Sequence, residues 1–382
     1  MRSWVIAIVL GGCQFRSGTS SQTPPTTDAP SSIDAREVDA LDSQQIPADW
    51  WDTSWTHRRL ITIDNSTVTQ PLSAFPVLIS LVQSANDDLL GATSTDVRFI
   101  AADHATVIAY DVDTSSAAGA LFWVPVDIPA MPAAAPTLWV YFADTSGAGP
   151  APNPHAVWST FVSVHHLDAT FADSTGNGHT GVPTSASTTP TAADGQIGTA
   201  LAFDGTDDAL PLATTTAYDL ANALSASVWI KLTTWQIQWE CIVCKGDNAW
   251  RIHRGNTTSH ADFGTTPAAG GSTANDNLDS SQNVDGGAWH LVSVEYDGAH
   301  KTIYVDGGTA QTDSSTAIAT SSAQVVIGHN VEAAAPPDRY FLGDIDELRI
   351  GSQVRGAAWF DAEYRAATDS TFAQLGAIES LP

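Results

Sequence analysis

His166-Leu-Asp-Ala-Thr-Phe-Ala-Asp-Ser-Thr-Gly-Asn-Gly-His-Thr-Gly181, then a loop rich in Ser, Thr and Ala, then Asp194-Gly-Gln-Ile-Gly-Thr-Ala-Leu-Ala-Phe-Asp-Gly-Thr-Asp-Asp-Ala-Leu-Pro-Leu212: this stretch decides the fold class. Gly and Asx cluster at 173–178, 194–195 and 204–208, with short apolar runs between them. Those residues tolerate the left-handed backbone that tight turns require. The pattern predicts short strands joined by turns.

The same punctuation extends both ways. Downstream, strands are expected at 163–167, 200–203, 225–232, 240–245, 250–253, 289–296, 301–305, 324–327 and 343–350, with Asp297-Gly298 as the turn of a hairpin. Upstream, β-branched and aromatic runs recur at 60–64, 75–81, 97–100, 107–110, 120–126 and 137–142, a spacing typical of a sandwich. Between the two series lies Ala148-Gly-Pro-Ala-Pro-Asn-Pro154, a stiff connector. The expectation is all-β: a small β-sandwich at 49–149, then a larger domain at 155–380.

The larger domain resembles concanavalin A-like, laminin-G-like jelly-roll modules of two antiparallel sheets. The motifs are the D-x-S-G-N-G turn (173–178), G-x-x-G-x-A-L-x-F-D-G (195–205), the Trp289-His290 to Gly307 hairpin and Phe341-Leu-Gly-Asp-Ile-Asp-Glu-Leu-Arg-Ile350, followed by a short helix at 359–364. The upstream domain resembles a bacterial domain of unknown function that often precedes such modules. Its W-x-x-R-x-x-I-T-I-D-N opening matches 55–65, and further matches fall at 74–81 apart from Ala74, at 96–99 and at 123–126. That second resemblance implies a β-sandwich and no chemistry.

Forty-two acidic residues against 15 basic ones give a formal net charge of -27, which repels phosphate backbones and excludes nucleic acid as a partner. No apolar run after residue 13 is long enough to cross a bilayer. Residues 1–12 read as a signal peptide, and Leu10-Gly-Gly-Cys13 resembles a bacterial lipobox, which implies lipidation at Cys13 and, with Gln14 following, an outer-membrane or surface destination; secretion is the alternative. Residues 13–48, rich in Ser, Thr and Pro, read as a disordered tether. Cys241 and Cys244 read as strand residues, with a disulfide open only where the strand is broken.

Three chemistries are weighed. A calcium site is expected from Asp168, Asp173, Asn177, Asp344 and Asp346, because hard cations take oxygen ligands and the resemblance places the first and last strands side by side; Glu347 is read as pointing away. Hydrolysis of a glycoside needs two carboxylates flanking the bond, and the glucanase pattern Glu-x-Asp-x-x-Glu is here Asp344-x-Asp346-x-x-Arg349, wrong at both catalytic slots. A ligand-binding face is expected from Trp235, Trp239, Trp250, Arg251 and Arg254, aromatics for sugar rings and guanidinium groups for hydroxyls. Together these predict a non-catalytic envelope lipoprotein that binds a glycan or an extracellular protein. The alternatives are a polysaccharide-acting hydrolase or its ancillary module, and a structural spacer.

Overall fold

The computed structural model describes residues 46–82, 96–116, 119–168, 170–213, 216–268, 276–308, 310–314, 317–332 and 338–382. Cys13 and residues 13–45 of the expected tether lie outside them, and no helix among the described residues is long and apolar enough to cross a membrane. The described residues from Ile46 onward form one compact unit of antiparallel sheets, as the all-β reading requires.

The smaller sandwich pairs a five-stranded sheet, which includes Trp55–Ile63, Thr137–Asp144 and Val97–Ala101, with a three-stranded sheet of Leu72–Val82, Gly119–Ile128 and Asp111–Ser116. Alternation turns Phe75, Val77, Ile79, Phe122 and Val124 inward to full burial. The division at 155–380 needs one correction. Strand Ala373–Ser380 returns from the far end of the chain and pairs antiparallel with Trp55–Ile63, completing the first sandwich.

The larger lobe stacks an eight-stranded sheet on a six-stranded one around a core that includes Phe203, Val228, Trp250, Phe263, Val292 and Ile345. The Asp297-Gly298 hairpin forms as expected: Trp289–Tyr296 pairs with His300–Val305, and Gly298 takes a φ of 97° that glycine adopts without steric cost. Cys241 and Cys244 are disulfide-bonded inside strand Cys241–Cys244. A register shift between Cys241 and Val243 brings the two Cα atoms to 6.2 Å, where a regular strand would hold them roughly 10 Å apart.

Two features join the lobes. Helix Ala357–Thr368, rich in strong helix formers, buries Trp359 against Phe75 of the smaller sandwich (centroids 4.8 Å apart), while Phe360 and Tyr364 pack on Tyr304 and Trp229 of the eight-stranded sheet. Beside it lies a buried charge cluster. His166 Nδ1 is 2.5 Å from Glu347 Oε1 and 3.4 Å from Asp113 Oδ2, and its Nε2 is 3.0 Å from Asp111 Oδ2. Arg349 pairs with Glu347 (2.8 Å) and Glu363 (3.1 Å), its guanidinium 4.2 Å from the Trp123 ring centroid. The indole N–H groups of Trp158 and Trp123 donate to Asp111 and Asp113.

Glu347 therefore does not point away. It sits at a register shift with a φ of 51°, and the irregular backbone brings its carboxylate beside that of Asp346. Burial and the Glu347 charge push Asp113 up to about 8, while His166 and Arg349 hold Glu347 down at about 2 despite its burial. His166 is raised well above its ordinary 6.5, the surrounding carboxylates outweighing burial.

The signs follow from linkage. Groups raised on folding, His166 and Asp113, contribute stability that is complete below their unfolded values and is lost as pH rises through the folded ones. The melting temperature is expected to fall between pH 6 and 9 in calorimetry. His166→Gln should lower stability by about 3–5 kcal/mol at pH 6, because it strands carboxylates built around a cation, and should flatten that pH dependence; an equally steep profile in the variant would remove His166 from the account. Deleting residues 371–382 is expected to destabilise the smaller sandwich, read as faster hydrogen exchange along Trp55–Ile63.

Candidate functional site

The site is set by a turn and a strand of the six-stranded sheet. In strand Trp250–Arg254, alternation sends Trp250 and Ile252 into the core and turns Arg251 and His253 to the opposite face. Trp250 is thus a core residue, fully buried, its indole N–H donating to Tyr218 O, and the ligand expectation for it is corrected. Trp235 is likewise buried and packs edge-on against Phe341, so it too presents no face to a ligand.

Trp239 is different. Half-buried and with a φ of 59°, an unusual conformation for a bulky residue, it stands at the rim of a recess of about 100 Å³ lined with Asp247, Arg251, His253, Asn277 and Arg339. Two groups brace it. Buried Glu240 accepts the backbone N–H groups of Gln236 (2.7 Å), Ile237 (3.2 Å) and, from the neighbouring sheet, Leu342 (2.9 Å). Arg254 donates to Ile237 O, Thr257 O and Thr258 O. Arg254 is therefore a brace behind the rim rather than a ligand contact, since its donors are spent on carbonyls.

On the floor, His253 lies 5.4 Å from the Trp239 ring and its Nε2 3.0 Å from Asp262 Oδ1, without hydrogen-bond alignment. Burial holds the ring below its usual range against the pull of Asp262, so it is neutral at pH 7. Gly264 leaves the floor open: a Cβ there would stand 2.6 Å from His253 Nε2 and 2.8 Å from Arg251 Nε. Asp247 accepts from Arg339 (2.7 Å) and Asn330 (2.8 Å). Asn277 and Arg339 arrive from distant loops, and nothing local in the sequence marks them. A larger depression of about 640 Å³ along Leu78, Ser80, residues 366–371 and residues 373–375 has no aromatic lining, and its Asp369 is engaged by Arg365 and Thr371.

The five expected calcium ligands do not converge. Asp168 accepts from Thr170; Asp173 accepts the N–H groups of Val164, Thr175 and His179; Asn177 donates to Phe161 O and Val162 O. Asp344 pairs with Lys231 at 3.0 Å, while Asp346 is buried and accepts from Ile197 N. Asp168, Asp173 and Asn177 are engaged by the turns they stabilise, Asp344 by a lysine, and Asp346 by a backbone N–H at one of its two oxygens. Among the described residues, acidic and histidine groups cluster at ligating distance at Asp113, His166 and Glu347, and at Asp204, Asp207 and Asp208. In the second cluster Asp204 Oδ1 already accepts three backbone N–H groups.

No curated protein matches the chain. Among solved structures it is similar to the binding domain of Paraclostridial Mosquitocidal Protein 1 (12% identity, 56% of this chain and 53% of that one, TM-score 0.46). It is also similar to domain 4 of AbnA, an extracellular arabinanase from Geobacillus stearothermophilus in complex with arabinotriose (20%, 53% and 97%, 0.41), and to the botulinum neurotoxin serotype G binding domain (12%, 53% and 50%, 0.42). The chain spans about half the length of the two toxin structures. A family model described as the concanavalin A-like lectin/glucanases superfamily matches residues 204–359, and over that stretch the larger lobe is a domain of concanavalin A-like, laminin G-like type.

Proposed function

We propose that the larger lobe is a non-catalytic glycan-binding module and that the Trp239 recess is its binding site. The carrying observation is the combination at one rim: a half-exposed, conformationally strained tryptophan braced by Glu240 and Arg254 over a floor of Arg251, His253, Asn277 and Arg339. An aromatic face takes the apolar side of a sugar ring while fixed donors take its hydroxyls. The recess holds a polar edge or substituent of one sugar, being smaller than the roughly 300–1,000 Å³ of an enclosing small-molecule pocket.

Binding is favoured over hydrolysis by the carboxylate inventory. Cleavage with retention needs two carboxyl groups about 5–5.5 Å apart across the bond. The recess lining contributes one, Asp247, and it is tied to Arg339 and Asn330. The strand carrying Asp344, Asp346 and Arg349 supplies no alternative, since Asp346 and Arg349 are buried and Asp344 is paired with Lys231.

In this reading the chain is displayed at the cell envelope, with Cys13 as the lipid anchor; the support is the lipobox-like tetrapeptide and the Ser/Thr/Pro composition after it. Metabolic labelling with a fatty-acid analogue is expected to mark the wild type and not Cys13→Ala. For the site, Trp239→Ala is expected to weaken binding of whichever oligosaccharide a glycan array selects by about tenfold or more, measured by titration calorimetry. Unchanged affinity in a folded variant would move the site elsewhere. Arg254→Ala, which frees the 237–239 loop without touching the floor, is expected to weaken the same glycan less and to accelerate hydrogen exchange in that loop.

A further inference from the structure

Arg251 is 2% exposed, yet among the described residues no carboxylate lies within ion-pairing distance of it. Its hydrogen bonds are long: Nη1 to Asp247 O at 3.3 Å and Nη2 to the exposed Asn277 Oδ1 at 3.5 Å. The carboxylates nearby have other partners. Asp247 is held by Arg339 and Asn330, Asp262 faces His253, and Glu332 accepts Asn248 N (2.9 Å) and Ser321 Oγ (3.4 Å). A buried guanidinium without a paired anion is costly, and burial correspondingly lowers its affinity for the proton.

Its neighbours make that arrangement specific. Arg339, only about a fifth exposed, lines the same recess, so two guanidinium groups face one opening that holds a single carboxylate. Gly264 keeps the space beside Arg251 Nε clear, and the neutral His253 adds a further polar ring to the floor. A guanidinium presents its N–H groups in a planar fork that matches a carboxylate in two-point contact. The recess has room for such a group and not for a whole ring beside it.

Resting on the glycan-binding reading, we propose that the Trp239 recess recognises an acidic sugar. A hexuronic acid residue would place its carboxylate against Arg251 and Arg339, with its ring packed on Trp239. The bound carboxylate would supply the missing counter-ion of Arg251, so affinity concentrates in that contact. The protein's strongly negative total charge opposes long-range attraction of such a ligand. Recognition is therefore short-range, and selectivity lies in the fit of the carboxylate rather than in the overall field.

The test alters the ligand rather than the protein, which avoids any folding defect. The full chain is titrated by calorimetry with galacturonate, guluronate and glucuronate oligomers and with the same oligomers after chemical reduction of their carboxyl groups to alcohols. The expected result is binding of at least one uronate series, with a loss of about tenfold or more on reduction and a similar loss in Arg339→Gln on the uronate alone. Equal affinity for reduced and unreduced oligomers would overturn the acidic-sugar assignment and leave the glycan reading intact, as would binding only to neutral glycans through Trp239. Preference for sulfated glycans or for glutamate-rich peptides over every uronate would also overturn it. Binding of a uronate that survives Trp239→Ala would overturn both readings.

Discussion

A protonated histidine enclosed by carboxylates holds this molecule together. His166 comes from the larger lobe and is reached by Asp111 and Asp113 from the smaller, with Glu347 opposite and Arg349 fixed between two tryptophan rings. Buried charges are expensive to desolvate, and they persist where each is answered by another in good geometry. Here the answer requires both lobes, so their relative placement is written into the electrostatics. The apolar seam does the rest: Trp158, Phe161, Trp359 and Phe360 belong to the same core cluster as Phe75 and Phe122.

The connector reinforces this. Sequence alone suggests a stiff hinge at 148–154, and its prolines do restrict the backbone. Its backbone N–H groups are nonetheless tied down, Ala151 N donating to Tyr110 Oη and Asn153 N to Tyr110 O. With the connector fixed, the helix wedged between the lobes and the charge cluster closed, the face of the six-stranded sheet that carries the proposed site is held on a rigid frame. Rigidity matters at the rim, where the left-handed Trp239 would relax without Glu240 and Arg254 to hold the turn.

Most strands were legible because they alternate and end at Gly or Asx, as in Val292-Ser-Val-Glu-Tyr296 with its Asp297-Gly298 turn. Polar edge strands such as Asp279–Asn283, Gln311–Ser314 and Ala373–Ser380 were not, since an edge is held by backbone pairing and needs few apolar side chains. At the site, Arg251 and Trp239 stood out by composition. Trp250 misled because a one-residue step in a strand changes face, and Arg254 because its donors are aimed at carbonyls. Asp111 and Asp113 carry no motif, and Glu347, although inside the 341–350 strand motif, reads from strand alternation as facing away; their convergence depends on a backbone irregularity at Glu347 and on the docking of two domains.

The pairing of Ala373–Ser380 with Trp55–Ile63 has a consequence for biosynthesis. Until residue 380 has been made, the first sandwich keeps an unsatisfied strand flank, a template for unwanted association. The lobe that emerges first from the ribosome is thus the last to be sealed. Such a chain gains from being kept unstructured until its whole length is available.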